Sequence, residues 1–180
     1  MAAMNITIRS MTLAALMIAL MTLATLIIRI PNPATQGYIN LGDALLFTIA
    51  LVFGWRIGGL AGGVGSALAD ALGGYFIWAP WTLVIKGFEG ILVGMIAAWG
   101  LREGSGPRRI AAFAAMVAGG AWMVFGYYMA GSVLFGGVAA LTEIPGNLTQ
   151  AGVAVVVALP LSVLLRNALK RSDYGPLAPR

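Results

Sequence analysis

The stretch that decides the fold spans residues 81–94 and reads WTLVIKGFEGILVG. It belongs to an apolar run of about 20 residues, enough to cross a bilayer, yet it contains Lys86 and Glu89. Their three-residue spacing puts both on one helical face, close enough to pair. Charges are costly in hydrocarbon, so this pair predicts a polar functional site inside a membrane protein. The alternative is a structural pair that only joins two helices.

The composition of the 180 residues supports a membrane protein. Hydrophobic residues make up 60% and charged residues 9%, with a mean hydropathy of +0.92, whereas a soluble domain carries about 25% charged residues. The sequence has no cysteine and no histidine, which excludes disulfides, Ser–His or Cys–His catalysis and His-ligated metal sites. It has no P-loop either, so we expect no ATP hydrolysis, no bound cofactor and no metal in this chain.

Apolar runs predict an all-α membrane protein, a compact bundle of six transmembrane helices that forms one domain over residues 1–180. Glycine, proline and polar turns separate the runs, and proline is a strong stop because it lacks an amide donor. The predicted spans are 6–30, 41–53, 57–74, 81–101, 110–134 and 147–169.

Basic residues predict the orientation of the bundle. Six spans put both termini on one side, which then holds nine basic residues, whereas the other side holds only Arg29. Positive residues mark the cytoplasmic side, so we expect a multi-pass protein of a prokaryotic-type cell membrane with both termini in the cytoplasm. Short loops and tails thus account for the net charge of +5, so we expect no nucleic-acid partner. The nine residues are Arg9, Arg56, Arg102, Arg108, Arg109, Arg166, Lys170, Arg171 and Arg180.

Polar residues from separate segments gather at one depth, in the predicted outer half of the spans. This arrangement predicts a pocket that opens to the outside. Simpler structural roles are also open: Asp43 could complement a helix dipole, Asp70 could pair with Lys86, and Asn147 could cap a helix. The gathered residues are Asn40, Asp43, Asp70, Lys86, Glu89, Asn147 and Gln150.

Aromatic residues concentrate in the same outer half, among them Tyr38, Trp78 and Tyr127. An interfacial belt explains any one of them, because Trp and Tyr favour the headgroup region. Together with the polar groups they predict a site for a small, flat, polar molecule. Rings supply stacking surface, while a few amides and charges fix orientation.

Four stretches in this order and spacing resemble the S component of energy-coupling factor (ECF) vitamin transporters, in the riboflavin-type group. They are INLGD at 39–43, GSALAD at 65–70, IKGFEG at 85–90 and IPGNLTQ at 144–150. The resemblance covers nearly the whole chain. It implies a non-catalytic six-helix membrane subunit that captures a vitamin or related micronutrient from outside.

The resemblance also implies partners. A transmembrane coupling subunit and two ATP-binding subunits would complete an ABC-type importer in the lipid bilayer and supply its energy. Docking in the family uses small residues at four-residue spacing on the first helix, a pattern that Ala15 and Ala19 match. Residues 32–38 would form the lid over the site.

The expected ligand is a planar nitrogen heterocycle: riboflavin, pyridoxine, a pyrimidine or a deazaguanine precursor. Family contacts lie on outer loops and the outer ends of later helices, which points here to Lys86, Glu89, Asn147 and Gln150, with aromatics near Trp78 and Tyr127. The complete set of expected substrate-binding residues is Lys86, Glu89, Asn147, Gln150, Asp70, Asn40, Tyr38, Trp78 and Tyr127.

Two other functions are open on the residues alone. A stand-alone proton-coupled secondary transporter or channel would use Asp70, Lys86 and Glu89 as a proton relay, although the sequence shows no convincing internal repeat. An intramembrane enzyme would need a nucleophile such as a serine facing Lys86, and Ser66 is the only candidate in the neighbouring outer-facing spans.

Overall fold

The computed structural model describes residues 8–102 and 108–171. The predicted start of the first span at residue 6, the middle of the predicted basic loop at 103–107, and Arg180 lie outside these ranges. The described chain is mostly helical. Its helices are α1 Ile8–Ile27, α2 Gly42–Phe53, α3 Trp55–Leu60, α4 Ser66–Leu72, α5 Ala79–Arg102, α6 Arg108–Phe135, α7 Gly137–Ala140 and α8 Glu143–Arg171.

Within residues 8–102 and 108–171, four helical stretches are long and apolar enough to cross a membrane: Ile8–Ile27, Ala79–Gly100, Arg109–Phe135 and Gly137–Arg171. Two predicted spans correspond to shorter pieces. The second is α2, whose 12 residues fall below the about 20 that cross the hydrocarbon layer. The third is α3 and α4, joined by a π-helical turn at Ala61–Gly65.

The third segment contacts α1 at its π-helical turn. A π turn widens the backbone and disturbs the regular hydrogen-bond ladder. Here Thr22 of α1 donates its hydroxyl to the carbonyl of Gly65 at 3.0 Å. This hydrogen bond holds α1 against the α3–α4 segment, which contributes Asp70 to the polar site.

Glycines let the third segment lie directly on α5. A Cβ placed on Gly63 would lie 2.8 Å from the carbonyl oxygen of Leu83, and one on Gly90 would clash with the carbonyl of Gly58. Such backbone contact needs residues without side chains. The small residues at four-residue spacing in these segments therefore serve packing inside the chain.

The chain after α1 differs from the sequence prediction. The first helix ends at Ile27, not at residue 30, and the expected loop is a β-hairpin of β1 Arg29–Asn32 and β2 Gly37–Asn40. The strands are antiparallel, with Arg29 opposite Asn40 and Pro31 opposite Tyr38. Pro31 lies inside β1, where it is tolerated because the strand is at the edge of the sheet. The fold is thus helical with one small hairpin, which the all-α prediction missed.

An apolar core fills the bundle below the hairpin. It brings together fully buried side chains of α2, α5, α6 and α8, such as Phe47, Val93, Met116 and Ala158. Many large apolar side chains point outward instead, for example Val156 at 72% exposed, as a lipid-facing surface requires. The polar residues lie between this core and the hairpin.

Candidate functional site

A buried ion-pair network forms the base of the site. The Lys86 ammonium pairs with the carboxylate of Asp43 at the start of α2 and with Glu89 Oε2 at 2.9 Å, one turn further along α5. It also lies 2.9 Å from Met123 Sδ on α6. The three charged side chains are at most 2% exposed. Burial of charge is tolerated because each group has a partner.

Gln150 of α8 connects this network to the end of the hairpin. Its amide nitrogen donates to Asp43 Oδ2 at 2.6 Å, and its amide oxygen accepts from the backbone N–H of Asn40 at 2.6 Å. The Asn40 side chain in turn accepts from the N–H of Gly42 at 2.7 Å. Asp43 therefore does more than complement a helix dipole, since it joins three segments.

Asp70, at the end of α4, pairs with Tyr38 of the hairpin instead of Lys86. The Tyr38 hydroxyl donates to Asp70 Oδ1 at 2.5 Å. Burial and the neighbouring Asp70 carboxylate raise the pKa of this hydroxyl above its ordinary value, so it stays protonated. The Arg29 guanidinium lies 5.5 Å and 5.6 Å from the ring centroids of Tyr38 and Tyr75.

Aromatic rings form one wall of the site. Trp78 is 3% exposed, and its indole N–H donates to the carbonyl of Thr35 at 3.1 Å. Its ring centroid lies 5.8 Å from that of Tyr127. The Tyr127 hydroxyl is 3.1 Å from that of Thr82. The rings therefore meet the hairpin on one side and α5 on the other.

Glu143, the first residue of α8, holds the hairpin over the site. Its Oε1 accepts from the Thr35 hydroxyl and from Asn32 Nδ2, the latter at 3.0 Å. A Cβ on Gly37 would lie 3.0 Å from the same oxygen. A side chain at residue 37 would therefore crowd the Glu143 carboxylate.

These groups enclose a narrow cavity of about 20 Å³, roughly the space of one water molecule. Several lining atoms are buried without a hydrogen-bond partner in the described chain: Thr25 Oγ1, Ser66 Oγ, Asp70 Oδ2 and Asn147 Nδ2. Such atoms favour a polar ligand, because an unsatisfied buried polar group is costly. The lining residues are Thr25, Gly37, Tyr38, Asn40, Ser66, Asp70, Trp78, Thr82, Lys86, Tyr127, Glu143, Asn147 and Gln150.

Comparison with known protein families decides the assignment. The model of the family described as "ECF-type riboflavin transporter, S component" matches residues 5–167. The chain belongs to this family of S components. The resemblance seen in the sequence is thereby confirmed, and with it a multi-pass membrane protein of vitamin transport.

Three similar proteins illustrate the range of relatives of this S component. A protein of Pyrococcus woesei described as "Uncharacterized protein in gap 3'region" is 41% identical over 148 residues, 82% of this chain and 95% of that protein. A UPF0397 protein of Streptococcus pneumoniae is 37% identical over 68 residues, 38% of this chain and 37% of that protein. The solved structure of ThiT from Listeria monocytogenes matches 94% of this chain and all of that chain, with a TM-score of 0.50 and 19% identity. That likeness shows the fold.

The S component brings most of the sequence-predicted binding residues together. Eight of the nine line the cavity, and Glu89 lies behind them as a partner of Lys86. The prediction did not include five further lining residues. Glu143 lies in the loop between the predicted spans 110–134 and 147–169, and Ser66 was considered only as a possible nucleophile. The five are Thr25, Gly37, Ser66, Thr82 and Glu143.

The proposed docking residues of the S component lie apart from the cavity. Ala15 and Ala19 are both exposed on α1. No group of three or more Asp or Glu side chains suited to a metal ion occurs within residues 8–102 and 108–171.

Proposed function

We propose that this S component captures a planar nitrogen heterocycle of the vitamin class from outside the cell and delivers it inward. A transmembrane coupling subunit and two ATP-binding subunits complete the importer, so this chain itself catalyses no reaction. The observation that carries the proposal is the convergence of unpaired polar atoms and aromatic rings in one cavity under the hairpin. The proposed ligand-binding residues are Lys86, Glu89, Asn147, Gln150, Asp70, Asn40, Tyr38, Trp78 and Tyr127.

The proposed orientation puts the hairpin outside and both termini in the cytoplasm. One domain of six crossings is proposed, with α2 and the α3–α4 segment as the second and third. The nine basic residues on one side support this arrangement, because cytoplasmic loops carry the positive excess. The cavity then opens toward the source of the nutrient.

The cavity of the described conformation is too small for the ligand, since about 20 Å³ holds no ring. Ligand entry therefore requires the hairpin to move. Hydrogen bonds hold the hairpin at three points. Asn32 and Thr35 bond to Glu143, Tyr38 bonds to Asp70, and Asn40 bonds to Gln150. The hairpin is accordingly the proposed lid, and the same contacts would enclose the ligand after it binds.

Mass spectrometry of small molecules that co-purify with the chain in detergent tests the proposal. We expect a heterocyclic compound at close to one per chain. Asn147→Leu removes a buried donor without a protein partner and should weaken ligand binding by roughly 10-fold to 100-fold. Asn167→Leu, on the exposed surface of the same helix, is the matched control and should bind normally. Equal retention by both variants would contradict the assigned site.

Uptake by reconstituted vesicles separates the importer from a proton-coupled carrier. The importer requires its ATP-binding partners and continues when the proton gradient is collapsed. Uptake by this chain alone that stops with the proton gradient would instead support the carrier, with Asp70, Lys86 and Glu89 as its relay.

A further inference from the structure

The site contains more acidic than basic groups. Four carboxylates lie in or directly beneath the cavity, those of Asp43, Asp70, Glu89 and Glu143, and each residue is at most 4% exposed. The basic groups nearby are Lys86 and Arg29. Buried charge is costly unless it is compensated. A ligand with a positively charged group can therefore pair with one of these acidic side chains, whereas an anionic ligand cannot.

Lys86 is not available to neutralise an acidic group of the ligand. Its ammonium already pairs with two carboxylates, Asp43 and Glu89. The Lys86 ammonium is thus already engaged by these two side chains and is not left over for a ligand. Among the described residues, the one buried basic atom without a hydrogen-bond partner is Arg29 Nη1, and Arg29 does not line the cavity.

Asp70 is the carboxylate best placed to meet a ligand. It lines the cavity and is 3% exposed. Its Oδ1 accepts the Tyr38 hydroxyl, whereas Oδ2 is buried with no hydrogen-bond partner among the described residues. A carboxylate oxygen accepts hydrogen bonds only. The complementary group is an N–H donor, preferably a charged one, because charge-assisted bonds are the stronger kind.

Aromatic rings surround the same space. Trp78 and Tyr127 line the cavity with Asp70, and their centroids are 5.8 Å apart. Ring faces attract organic cations electrostatically. Tyr38 already illustrates this, since the Arg29 guanidinium lies 5.5 Å from its centroid. Rings beside a free carboxylate oxygen suit a flat cation.

Asn147 adds a polar group of the opposite kind. Its Nδ2 lines the cavity as a buried donor with no partner in the described chain. A ligand that satisfies both Asp70 and Asn147 carries a donor and an acceptor. We infer that the ligand is a cationic or amine-bearing nitrogen heterocycle, bound through its positive edge at Asp70 and through an acceptor at Asn147. This inference rests on the proposed function.

Equilibrium binding to the purified chain in detergent at neutral pH tests the inference with ligands of different charge. Pyridoxamine, pyridoxine and pyridoxal 5′-phosphate share one ring, riboflavin and flavin mononucleotide share another, and thiamine is a cationic heterocycle. We expect a cationic or amine-bearing member to bind tightest and the phosphorylated members to bind at least about 100-fold more weakly, a difference that like-charge repulsion in a buried site can produce.

The outcomes separate the inference from the proposed function. If an uncharged or phosphorylated compound binds tightest, the inference is wrong and the binding function stands. If none of these compounds binds, the compound that co-purifies with the chain is tested instead. A cationic or amine-bearing compound supports the inference, and an uncharged or anionic one contradicts it. If nothing binds and nothing co-purifies, the binding function itself is wrong.

Variants of Asp70 and Tyr38 provide the second test. Asp70→Asn keeps the shape and an acceptor for Tyr38 but removes the charge, so affinity for the cationic ligand should fall by roughly 30-fold or more. Affinity for an uncharged analogue on the same ring should change less than about 3-fold. Tyr38→Phe keeps both the ring and the Asp70 charge and should retain the preference for the cation. Equal losses for charged and uncharged ligands would assign Asp70 a purely structural role and overturn the inference.

Discussion

At the scale of single residues, Lys86 decides whether the buried network can exist. Its ammonium contacts Asp43, Glu89 and Met123, which belong to α2, α5 and α6. The side chain is therefore part of the structure as well as of the cavity wall. Without it, two carboxylates would be buried with no cation beside them, which costs far more than the loss of one contact.

Lys86→Met tests this role of the charge. The variant should lower the free energy of unfolding by about 3–5 kcal/mol, because it leaves buried carboxylates uncompensated. Thermal unfolding in detergent measures the change. The triple variant Lys86→Met, Asp43→Asn, Glu89→Gln removes all three charges and should recover most of the loss. A triple variant no more stable than Lys86→Met would contradict an electrostatic cause.

The contacts of Lys86 also mark how far the sequence could predict the site. The three-residue spacing to Glu89 predicted their pairing, and the 2.9 Å contact confirms it. The pairing with Asp43 depends on how α2 packs against α5, and no periodicity within one segment encodes that. The same reason hid Glu143, whose partners Asn32 and Thr35 lie on the hairpin.

At the scale of elements, the hairpin is where prediction and structure differ most. Pro31 and Pro33 predicted a helix end at residue 30, three residues beyond the observed end of α1 at Ile27, and they gave no sign of strands of only four residues. Short strands depend on partners outside themselves. Here the partners are side chains of α8 and the N–H of Trp78. The hairpin is thus an element that tertiary contacts stabilise.

Thr35→Val tests whether these contacts hold the lid. Thr35 is fully buried and does not line the cavity, so the nearly isosteric valine removes only its hydroxyl bond to Glu143. Loss of such a bond costs about 1–3 kcal/mol, and the ligand should dissociate roughly 5-fold to 150-fold faster. Stopped-flow measurement of ligand release checks this. Thr149→Val, an exposed hydroxyl bonded within α8, should release ligand at the normal rate.

At the scale of the whole molecule, the cavity and the exposed face of α1 are separate surfaces. The cavity takes side chains from the hairpin and several helices, whereas Ala15 and Ala19 lie exposed on one helix. Their small side chains allow another helix to approach the α1 backbone closely. Binding and docking should therefore be separable by mutation, which a single shared surface would not allow.

Ala15→Trp tests this separation. The large ring should block close helix contact, so ATP-dependent uptake by the complete complex should fall at least about 10-fold, the equivalent of roughly 1.4 kcal/mol of lost docking energy. Ligand affinity of the isolated chain should stay unchanged, because Ala15 lies outside the cavity lining. Val156→Trp, on an α8 position that is 72% exposed, adds the same ring elsewhere on the lipid-facing surface and should leave uptake intact. Uptake lost equally in both variants would mean that the ring disturbs membrane insertion in general, and loss of binding in Ala15→Trp would mean that α1 supports the site instead of the partner.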